Sequence, residues 1–159
     1  MDKAALLARV IKQLRAELEL LARAAEDARQ GATDSEVRSE SKYDTRGLES
    51  SYLARGHAIK FEALAADVAT LEALDGTPFA ERTTIGVGAL VSVETNGEAF
   101  WYFLLPKGGG TELDAEEGGP EVTIVTPESP MGQQLSGLKR GDRFTLRPNL
   151  PPSEVVAVK

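Results

Sequence analysis

The chain has 159 residues, 42% of them hydrophobic, and a formal net charge of −7, so it has room for one domain or two small ones with a real core. The acidic balance argues against a nucleic-acid duplex as direct partner, because phosphate binding needs clustered Lys and Arg. With no cysteine and a single histidine, His57, disulfide frameworks, thiolate or His-cluster metal sites and the usual Ser-His catalysis are excluded.

Residues 1–75 hold no proline and only Gly31, Gly47 and Gly56, whereas all eight prolines and the other twelve glycines follow. That shift predicts a helical part, 1–75, a joint at 76–84, and a strand-rich part, 85–159. In the first part Leu7, Ile11, Leu14, Leu18, Leu21, Ala25 and Ala28 recur at the heptad spacing of a coiled-coil seam. Gly31 is placed to stop this helix, since the residue just past a helix end often needs a left-handed conformation. A returning helix is predicted from Phe61, Leu64, Val68 and Leu71, with its start near Gly47. The two form an antiparallel hairpin whose tip is residues 31–47.

The tip segment, DSEVRSESKYDTRGLES, alternates its charges: Glu36, Arg38, Glu40, Lys42, Asp44, Arg46. If helical, it gathers Glu36, Glu40 and Asp44 on one face and Arg38, Lys42 and Arg46 on the opposite one. Each stripe then sets like charges side by side, at roughly 0.2–0.5 kcal/mol of destabilisation per pair, while Asp34 and Arg38 pair well. If extended, it puts all six charges on one side and Val37 and Tyr43 on the other. Neither pattern is one of core packing. A solvated connector is one reading. The other is a set of exposed carboxylates offered to a divalent cation or a basic partner, since Mg²⁺ takes one or two protein carboxylates and completes its shell elsewhere.

The second part begins with two strands around Asn96-Gly97, the dipeptide that suits a type I′ hairpin turn. Val91, Val93 and Thr95 alternate before the turn, and Phe100 to Leu105 form an apolar run expected to be buried after it. Residues 108–121 are expected to be a flexible acidic loop. A strand at 122–126 follows, then a short helix opened by Ser129 as N-cap with Pro130 at its first position and ended by Gly137. Residues 138–146 turn into a fourth strand and 153–159 make a fifth. Asp142 is expected to cap its own turn, and His57, on the second helix's seam, to pack or lie at the surface.

The stretch TIVTPESPMGQQLSGLKRGDRFTL, preceded by a coiled-coil hairpin, resembles the bacterial transcript-cleavage factors of the GreA/GreB family. The matching positions are Val125, Ser129, Pro130, Gly132, Leu135, Gly137, Gly141 and Asp142. The resemblance implies an α+β fold, an N-terminal antiparallel coiled-coil hairpin followed by a small FKBP-like β-sheet domain with one short helix. It implies RNA polymerase as partner in the cytoplasm, with no membrane and no sequence-specific DNA contact. The C-terminal module, through Ser129, Pro130, Met131 and Asp142, is expected to dock at the rim of the polymerase's secondary channel. Arg38, Lys42 and Arg46 are expected to grip the channel or steer RNA, whose 3′ end is met only indirectly.

At the tip, Ser39-Glu40-Ser41 and Tyr43 resemble the family's run, so Glu40 maps onto its glutamate. The family's aspartate position falls on Val37, with Glu36 the nearest carboxylate and Asp34 and Asp44 as competitors. Glu36 and Glu40 are thus the expected ligands of a Mg²⁺ held mainly by the polymerase, which activates water to cleave backtracked RNA. On this reading the chain is an accessory factor and the nuclease activity is the polymerase's. The alternative is a Gre-like regulator that occupies the channel without cleavage.

Overall fold

The computed structural model describes residues 1–38, 46–74, 84–114 and 119–159. The chain runs through two long helices, α1 (Lys3–Arg38) and α2 (Arg46–Glu72), and then into a mixed sheet with one short helix. The architecture is therefore α+β. It divides into two compact units, one of residues 12–69 and one of residues 1–11 with 70–159.

In the first unit the predicted seam is visible on both helices. Leu14 is buried and Leu18, Leu21, Ala25 and Ala28 are half-buried, while the positions between them are largely exposed. On α2 the matching row is Ala54, His57, Phe61, Leu64 and Val68. A half-buried row on each helix within one compact unit is the pattern of a helical hairpin packed along its seam. His57 is half-buried in the α2 row, and among the described residues its Nδ1 is buried with no hydrogen-bond partner.

One expectation is corrected here. Gly31 does not end α1, which continues to Arg38. Local pairs carry the helix across this point. Arg29 and Gln30 donate to the Glu26 carboxylate at 2.9–3.0 Å, and the Thr33 hydroxyl donates to the carbonyl of Arg29 at 3.1 Å. The first two bonds, Arg29 leading, hold Glu26 below the usual carboxylate range. A glycine inside a helix costs only about 1 kcal/mol relative to alanine, and neighbouring turns outweigh that. The second helix starts at Arg46, close to the expected Gly47. Residues 39–45, between the two helices, lie outside the described residues.

The second unit is built on β1 (Leu90–Thr95), β2 (Glu98–Leu104), β3 (Glu112–Leu113), β4 (Val122–Val125), β5 (Arg143–Phe144) and β6 (Ser153–Val158), in the order β3-β4-β2-β1-β6-β5. The strands β2 and β4 run parallel and the other neighbours antiparallel. Asn96 and Gly97 both have positive φ, 53° and 82°, as the predicted type I′ turn requires, and Thr95 faces Glu98 across it. Two expectations fail. The acidic loop contains a strand, β3, whose Glu112 and Leu113 pair with Thr123 and Val122. It was invisible because two residues show no alternation. The aromatic run is buried only from Phe103 onwards; Phe100 is 41% exposed and Trp101 and Tyr102 are half-buried.

Both faces of the sheet carry apolar side chains. On one, Ala89, Val91, Val93, Leu104, Val125 and Val155 pack with Ile85, Phe144 and Leu135 of α3 (Pro130–Leu135). This helix has six residues, roughly 9 Å, so Phe100 at the hairpin end of that face stays open. On the other face, pairing aligns Leu90 with Phe103, Phe103 with Ile124, and Val122 with Leu113, all buried. The first turns of α1 belong to the same unit, with Leu6, Leu7 and Val10 buried, and Arg9 donates to the carbonyl of Asp114 at 2.7 Å, next to Leu113. Among the described residues no helix is long and apolar enough to cross a membrane.

Candidate functional site

Two places carry the predicted site residues, the end of the hairpin and the turn that opens α3. At the hairpin end, Asp34, Glu36 and Arg38 lie in the last turns of α1, and Arg46 is the first residue of α2. The expected ligands and contacts Glu40, Lys42 and Asp44 lie outside the described residues. Of the charged stretch, the part through Arg38 takes the helical alternative. The chemistry available there, carboxylates without His or Cys, suits a hard cation such as Mg²⁺. Among the described residues no three His, Cys, Asp or Glu side chains gather as a metal-binding group.

The turn before α3 is built from side-chain to backbone hydrogen bonds. Ser129, in extended conformation (φ −68°, ψ 152°), is the N-cap. Its hydroxyl accepts from the Gly132 N–H at 3.1 Å and donates to the carbonyl of Thr126 at 2.7 Å. Pro130 follows at a position where the missing N–H costs nothing. Gln133 ties its side-chain amide to the carbonyl of Glu128 at 2.9 Å. At the far end the Ser136 hydroxyl donates to the carbonyl of Gly132 at 2.7 Å, and Gly137 turns the chain with φ +84°. The Gly137 N–H then reaches the carbonyl of Ile85, and Ile85 N–H that of Leu138, tying the end of α3 to the segment before β1.

The next turn repeats the device. The Asp142 carboxylate accepts from the Lys139 N–H at 2.8 Å, Gly141 sits at φ +88°, and Gly141 N–H donates to the carbonyl of Val155 at 2.7 Å. Asp142 thus caps its own turn. Of the residues expected to meet a partner, Ser129 and Asp142 are engaged in their own turns and Met131 packs against the core, while Pro130 stands exposed. The structure adds what the residue pattern missed: Lys139 and Arg140 are exposed beside Asp142, and Phe100 is exposed on the α3 side of the sheet. Trp101, on the opposite face, has the Lys159 ammonium 5.6 Å from its ring centroid, within cation–π range.

No protein-family model and no curated protein matches the chain. Solved structures similar to it include the GreA factor homolog 1, Gfh1, of Thermus thermophilus, at 22% identity over 94% of each chain with a TM-score of 0.38. Gfh1 of Thermus aquaticus is 25% identical over 99% of this chain and 96% of its own, with a TM-score of 0.37. The elongation factor GreA/GreB from Nitrosomonas europaea is 18% identical over 82% of this chain and 93% of its own, with a TM-score of 0.34.

Proposed function

We propose that the chain is a Gre-like transcription elongation factor that acts on RNA polymerase in the cytoplasm. The hairpin enters the secondary channel, and Glu40 and Glu36 lend carboxylates to the Mg²⁺ of the polymerase's active site. That metal supplies the activated water for cleavage of backtracked RNA. The chain contributes ligands and positioning, and the polymerase remains the nuclease. The observation that carries this reading is the form taken by the segment resembling the family. Residues 122–146 run as a strand, a Ser-Pro-capped helix, two glycine turns and a strand, after a helical hairpin.

A second reading has its own support. Val37 stands where the family carries its aspartate, leaving Glu36 one residue away. On a helix, neighbouring residues point about 100° apart, so Glu36 is not a simple replacement. A channel-occupying regulator that does not promote cleavage fits that substitution.

The test is a backtracked RNA polymerase complex with Mg²⁺, treated with wild type, Glu40→Ala and Glu36→Ala. Shortened RNA with wild type, reduced at least tenfold by Glu40→Ala, is the expected result. Competition with a known cleavage factor but no shortened RNA would select the regulator. No binding to polymerase would overturn both readings.

A further inference from the structure

We draw no further inference here: the strongest candidate, the exposed apolar stripe of Leu48, Tyr52 and Ile59 on the face of α2 opposite its seam, carries nothing because no feature of the described residues shows what covers it.

Discussion

A Cβ built on Gly132 collides with the backbone carbonyl of Thr126. The same carbonyl receives the Ser129 hydroxyl, so the turn has no slack on that side. Gly132→Ala must shift the 126–132 turn or α3, at a cost of about 3 kcal/mol or more. Ser129→Ala removes only the cap, at about 1 kcal/mol. Denaturant unfolding of the two variants is expected to rank them in that order; equal midpoints would show that the turn yields. The Ser-Pro pair was legible because a cap is local chemistry, written within four residues. The need for glycine at 132 was not, because it arises from a carbonyl that only the folded turn brings close. Tyr102 gives a second prediction at this scale. Burial pushes its phenol above the ordinary value of about 10. The unfolded chain then loses this proton at lower pH than the folded one. Its contribution is complete below about pH 10 and is lost as pH rises further. Tyr102→Phe should flatten the alkaline fall in stability relative to wild type; parallel curves would assign the fall to other groups.

Among the elements, α1 shows how far periodicity reaches. Its seam was readable because Leu7 to Ala28 keep one register over seven positions, and no strand pattern competes. Its end was misread because glycine is ambiguous: it serves at a C-terminal cap, where φ is positive, and it is tolerated inside. The two cases predict opposite signs for one substitution. Inside the helix, Gly31→Ala stabilises by about 0.5–1 kcal/mol. In a left-handed cap the same change destabilises. Thermal melting followed by the helical circular dichroism signal is expected to move upwards, and a downward shift would restore the earlier stop. The strands obey the same logic. The hairpin at Asn96-Gly97 was legible from its turn, whereas β3, two residues long and flanked by glycines and acids, left no pattern to read. The exposure of Phe100 depends on how short α3 is, and composition does not reveal that.

At the scale of the whole molecule, the composition change near residue 76 marks where helices give way to strands. It does not mark where one compact unit ends, because the sheet's unit also takes in residues 1–11 and 70 onwards. The reason is that the sheet has two apolar faces and α3 serves one of them. Leu90, Phe103, Val122 and Ile124 are at most 1% exposed on the other face, and the first turns of α1 bring Leu6, Leu7 and Val10 to the same unit. Burying one such side chain stabilises by about 1.5–3 kcal/mol. A fragment of residues 85–159, cut at the composition boundary, therefore loses several kcal/mol and exposes a continuous apolar face. Such a face also invites association. The fragment is expected to unfold at lower denaturant than the sheet's unit in the full chain and to bind an apolar dye that the full chain excludes. A fragment that is monomeric, dye-free and as stable as the full chain would mean that α1 adds nothing to the sheet.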